Sequence, residues 1–187
     1  MFDPAGPVLG IDPGLSRCGY GVVRRGRGQL RAEACGVIRT DPQSPLPERL
    51  AALADELGAL VAQYRPSAMA VERVLFQNNA RTAISVGQAS GLALVAAARA
   101  NVPVLQYSPN EVKLAVTGDG RADKLAVQTM VTRLLHLAEM PKPADAADAL
   151  ALACCHVWRA PLTAQSADAA KRTPKAQRSE GASVVSR

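Results

Sequence analysis

Four carboxylates stand where this chain otherwise places apolar residues. Asp12 ends the run Val8-Leu9-Gly10-Ile11, Glu72 interrupts "AMAVERV", and Asp145 and Asp148 lie three residues apart in "ADAADALALACCH". Two of them have an ordinary explanation. Asp12-Pro13-Gly14 reads as a turn, in which Pro presets φ and Asp bonds back to the backbone. Asp145, near a helix start, is favoured by the helix dipole. Asp148, one turn deeper on the same helix face, has no such excuse, and a carboxylate inside an apolar strand must be paired, neutralised or bound to metal. Arg73, the nearest cation to Glu72 in sequence, points to the opposite face of a strand. One explanation covers all four acids: they gather around a divalent metal. Oxygen-only ligands select a hard ion such as Mg²⁺ or Mn²⁺, and Mg²⁺ completes its shell with water and substrate phosphate, which suits phosphodiester hydrolysis.

The elements that must position these acids follow from hydrophobic periodicity. Val8 to Asp12, Gly19 to Arg24 and Leu30 to Thr40 read as three strands, with glycines and basic residues in the gaps. After "DPQSPLP", Leu46, Leu50, Leu53, Leu57 and Leu60 recur at helical steps. "SAMAVERVLF", an Ala-rich helix over Asn79 to Ala100 and "VPVLQYS" make a βαβ unit. Ser108-Pro109-Asn110-Glu111 is a capping box that starts a short helix ending at Gly118. Two more helices, Asp123 to Leu137 and Ala144 to Arg159, flank the helix-stopping "MPKP". The expected order is βββαβαβααα, an α/β fold with a mixed sheet flanked by helices.

The chain has 187 residues and a net charge of +6, enough for one domain with a sizeable core. The basic balance favours an anionic partner. Two Phe, one Trp and three Tyr are too few for stacking platforms that bind single strands. Cys18, Cys35, Cys154 and Cys155 form no CxxC pair, and neither His136 nor His156 stands at zinc-ligand spacing from them. They read as small buried hydrophobes in a reducing compartment. No window reaches the roughly 18 apolar residues of a membrane span, so a cytoplasmic protein without membrane contact is expected. Residues 1–162 are expected to form the domain and 163–187 a disordered tail. The tail holds Lys171, Arg172, Lys175, Arg178 and Arg187 against Asp168 and Glu180, half of the net charge. A solvated tail and a nonspecific DNA tether are equally good readings of it.

The motifs "GIDPG…GYGV", "AVERV…N…A…GQASG", "EVK…VTG…ADK…VQ" and "DAADALALA", in this order over residues 8 to 157, resemble the RuvC Holliday-junction resolvases of the ribonuclease H-like fold. The resemblance implies that Asp12, Glu72, Asp145 and Asp148 are catalytic metal ligands, for two Mg²⁺ ions per site that Mn²⁺ can replace. It implies that Lys113 and Lys124 act near the scissile phosphates; without it they would be ordinary helix-surface charges. It further implies a homodimer that nicks two opposed strands of a four-way DNA junction symmetrically, in recombination and repair, alongside a branch-migration motor. Two positions depart from the family. Cys18 stands where Thr is frequent, and the aromatic often found three residues after the catalytic Glu is Leu75, with Phe76 next. Phe76, at even odds a core residue or an outward ring stacking on an unpaired base, and Arg81 complete the DNA-contact candidates.

Three rivals are weaker. A ribosomal-RNA-processing nuclease of the same fold also begins with "GIDPG" but lacks the "DAADALA" helix. A sugar-kinase or actin-like phosphotransferase needs a duplicated domain that this length cannot hold. A catalytically silent junction-binding module has no reason to keep four carboxylates.

Overall fold

Period-two alternation decides where the acids go. The computed structural model describes residues 6–26, 28–74 and 80–172, with the backbone alone described at 80–81 and 160–172. Three strands come first: β1 (Val8–Asp12), β2 (Arg17–Gly26) and β3 (Gln29–Arg39). Then follow α1 (Leu46–Tyr64), β4 (Ala68–Glu72), α2 (Ala80–Arg99) and β5 (Val104–Tyr107). Three helices end the described chain: α3 (Pro109–Thr117), α4 (Lys124–Leu134) and α5 (Ala144–Arg172). The five strands form one mixed sheet in the order β3-β2-β1-β4-β5. β1 pairs antiparallel with β2 and parallel with β4, and β4 pairs parallel with β5 as the βαβ reading requires.

Successive strand residues face opposite sides. Leu9, Ile11, Met69 and Val71 point to the face covered by α1 and α2, where they pack with Leu53, Leu57, Ala89 and Ala93. Val8 and Ala70 point to the other face, into a core shared with α3, α4 and α5. Asp12 is four residues from Val8 and Glu72 two from Ala70, so both acids come out on the α5 face. β1 and β4 run parallel with Ile11 beside Val71, which brings the two strand-end acids alongside each other. Topology thus supplies half of the site before any helix is placed.

The capping box at α3 is present in full: Glu111 N donates to Ser108 Oγ, and Ser108 N donates to Glu111 Oε2. Two expectations are corrected. α5 continues past Arg159 to Arg172, ten residues into the stretch expected to be disordered. Ala, Gln and Lys are good helix formers, and extending an existing helix has no nucleation cost. The tail from 173 to 187 lies outside the described residues. Cys18, Cys154 and Cys155 are buried, but Cys35 is exposed, on a strand whose only sheet neighbour among the described residues is β2. As the sequence reading expects, Gly10, Gly19 and Gly21 lie inside strands.

Candidate active site

The closeness of α5 to the sheet rests on those glycines. A methyl group at Gly10 would overlap the Ala149 carbonyl oxygen, and one at Gly19 the Asp145 carbonyl oxygen. At Gly21 it would lie 2.7 Å from Leu150 N. Glycines inside a strand mark such close backbone approaches, and this is the signal by which the sequence could have placed α5 across β1 and β2. The helix face carrying Ala146, Ala149 and Ala153, all buried, completes the contact. As a result the first two turns of α5 project Asp145 and Asp148 over the end of β1.

Oxygen atoms of Asp12, Asp145 and Asp148 lie within 4.8 Å of one another. Glu72 stands beside this triad and shares a hydrogen bond with Asp12. Burial, then the neighbouring charges of Glu72, Asp148 and Asp145, push Asp12 up to about 7. Burial is also the main reason that Glu72 lies above the ordinary carboxylate range, with the Asp12 hydrogen bond opposing it. This is the crowding that a divalent cation relieves, and the donors are all hard oxygens, so the residues fit the ion read from the sequence.

Two cations meet the α5 acids. Lys124, the first residue of α4, places Nζ 2.6 Å from Asp148 Oδ2, and that hydrogen bond raises its ammonium above the usual range. Arg17, the first residue of β2, donates from Nε (2.8 Å) and Nη2 (2.5 Å) to Asp145 Oδ2. Lys113 lines a cleft of about 250 Å³ together with Glu72, Lys124 and Asp148. Two helix-surface lysines are therefore brought to the acids by the packing of α3 and α4 on α5. Arg17 went unnoticed in the sequence because its partner lies 128 residues away. Arg73, the residue after β4, donates to the Gln106 carbonyl and lies 3.9 Å from Glu111. Glu111 also accepts from Arg159, which ties α3 to α5. Arg81 stands in the first turn of α2 with its side chain undescribed, and Phe76 and Leu75 lie outside the described residues.

Comparison with known proteins gives a consistent picture. Residues 8–156 match the family described as crossover junction endodeoxyribonuclease RuvC. The crossover junction endodeoxyribonuclease RuvC of Salinispora arenicola is 57% identical over 166 residues, covering 88% of this chain and 95% of that one. Among solved structures, Thermus thermophilus RuvC in complex with Holliday junction substrate superposes with a TM-score of 0.80 at 40% identity, covering 84% of this chain and 96% of that chain. The yeast mitochondrial Holliday junction resolvase Ydc2 shares the fold, with a TM-score of 0.63 at 16% identity over 91% of this chain and 88% of that chain. No described helix is long and apolar enough to cross a membrane.

Proposed function

The chain belongs to the RuvC family of crossover junction endodeoxyribonucleases, and we propose that Asp12, Glu72, Asp145 and Asp148 are the acids with which it cuts four-way DNA junctions. The enzyme is a DNA-hydrolysing nuclease of the ribonuclease H-like fold. The observation that carries the site assignment is the meeting, within 4.8 Å, of carboxylates from β1 and α5 that are separated by more than 130 residues.

The four acids would hold two Mg²⁺ ions, or Mn²⁺ in their place. Bound there, such ions would supply activation of water and charge stabilisation of the leaving oxygen of a phosphodiester. The protein's own contribution is positional. β1 and β4 hold Asp12 and Glu72 at adjacent strand ends, and α5 holds Asp145 and Asp148 at one turn's spacing. Arg17 uses both its contacts on one oxygen of Asp145, which fixes that carboxylate's rotation. Lys113 and Lys124 offer cations to the phosphates that flank the cut.

A homodimer matches a two-fold substrate. It is supported by a stripe along α2 on which Ile84 and Val95 are 63% and 46% exposed and open space stands over Gly87 and Gly91 between them. Partnership with a branch-migration motor and a cytoplasmic location rest on the resemblance and the composition. The test is to incubate the protein in Mg²⁺ with a synthetic four-way DNA junction, a linear duplex and a structured RNA, separately. Paired symmetric nicks confined to the junction are expected; cutting of the RNA alone would assign the chain to RNA processing.

A further inference from the structure

The acids have cations on two sides, and only one side is explained by Lys113 and Lys124. On the other, three arginines stand at the site end of β2 and β3, Arg17 and Arg39 on the α5 face and Arg49 on the α1 side. Arg17 touches Asp145, and the antiparallel register places Arg39 directly opposite Arg17, on the same face of the sheet. Like charges in that position are destabilising unless an anion lies near them. Arg39 is exposed and has no carboxylate partner among the described residues. The nearest acid along the chain, Asp41, is turned into its own turn, where Oδ1 accepts from Gln43 N. Arg49 reaches the same corner from α1. Its Nη2 donates to Ser16 Oγ at 2.6 Å and its Nε to Thr40 Oγ1 at 3.1 Å. Thr40 is itself buried and donates to the Leu15 carbonyl at 2.6 Å. Two hydroxyls thus fix the Arg49 guanidinium, and no carboxylate among the described residues forms an ion pair with it.

A solvated charged face needs no such anchoring and gains nothing from facing arginines. A fixed guanidinium, an unpaired one opposite Arg17 and a third bonded to a candidate metal ligand are arranged as backbone phosphate contacts are, with rigid forks presenting N–H groups outward. We propose that Arg39 and Arg49, with Arg17, form a second phosphate-contact track for junction DNA, across the acid cluster from Lys113 and Lys124. The cut strand then passes over the acids with cations before and after the scissile phosphate. The proposal rests on the reading of the acid cluster as the cutting site.

The experiment measures affinity of the full-length protein for a four-way junction in Ca²⁺, over a range of salt, for the parent, Arg39→Gln, Arg49→Gln and the double variant. Each lost phosphate contact should lower the slope of log affinity against log salt by about 0.9. Arg39→Lys and Arg49→Lys should restore the slope. Arg39 is exposed and makes no ion pair among the described residues, so Arg39→Gln carries the test even where Arg49→Gln fails to fold. A methylphosphonate scan of the cut strand then places the contacts. Neutral linkages on one side of the cut should weaken the parent and leave the double variant unaffected. Parental slopes in folded variants, or sensitivity confined to phosphates that Lys113 and Lys124 account for, would overturn the track. Cleavage by Asp148→Asn in Mg²⁺ judges the acid cluster separately, because the slopes are read without cutting.

Discussion

Against one face of the sheet, α5 lies with its backbone on glycines; against the other, α1 and α2 are held off by full-sized side chains. On the α5 face nothing larger than hydrogen fits at Gly10 or Gly19, and the helix position is defined by backbone contact. On the far face, Leu9, Ile11 and Val22 meet Leu53, Leu57 and Leu60 through side chains alone. That layer leaves a groove of about 690 Å³ between α1 and α2, lined by small residues such as Ala54, Gly58 and Ala96. Side chains can change rotamer and backbones cannot yield cheaply, so the first face fixes positions and the second mainly supplies burial. The acids stand on the face that fixes positions.

The largest effect expected is at the acids themselves. Asp12→Asn or Asp148→Asn should reduce junction cleavage by roughly a thousandfold or more, through lost metal binding, while junction affinity is kept because less negative charge faces the phosphates. Gel-shift and single-turnover cleavage on the same preparation check this, and normal cutting by either variant would sink the assignment.

Gly19→Ala tests the face as a positioning device. Its added methyl must push Asp145 and the first turn of α5 away, and a shift on the order of 1 Å costs about a hundredfold in rate. Cleavage per folded molecule is the measurement. A variant that cuts normally would show that α5 has slack. On the other face, Leu57→Ala removes a fully buried side chain and should cost about 2 to 5 kcal/mol of stability. Its cleavage per folded molecule should stay at the parental value. A rate loss there that exceeds the loss of folded protein would end the division of labour between the faces.

The smallest effect is a pH dependence confined to the α5 face. With metal removed by chelation, Asp12 binds its proton more tightly in the folded chain, at about 7, than in the unfolded chain, at 3.8. Folded protein therefore holds more protons between these values, and stability should fall as pH rises from about 4 to 7, then level off. With water in the open cleft screening part of the interaction, the fall is about 1 to 2 kcal/mol. Denaturant midpoints across pH measure it, and Asp12→Asn should flatten the curve. Metal affinity should rise over the same interval, since the ion displaces that proton.

The strands and helices were legible because their signals are local. Val8 to Ile11 alternates between faces with Asp12 in phase with Val8, Ser108 and Glu111 cap α3 across three residues, and Asp145 and Asp148 share a helix face by their spacing alone. Even the four acids could be singled out, since a carboxylate among apolar neighbours is anomalous within a window of a few residues. The far end of α5 is not legible in the sequence, because Ala-rich sequence is compatible with helix and with disorder, and composition does not separate the two.

By itself, then, the sequence determined which acids are the candidates for the chemistry and on which face of its own element each would lie, because periods of 2 and 3.6 residues act over a few positions. Only the tertiary structure decided that α5 crosses β1 and β2 rather than another pair of strands, that Arg17 meets Asp145 across 128 residues, and that Arg39 and Arg49 reach one corner. Those outcomes depend on which surfaces can approach closely, and glycines in two different strands matter to a helix near the other end of the chain only once the sheet has brought them side by side.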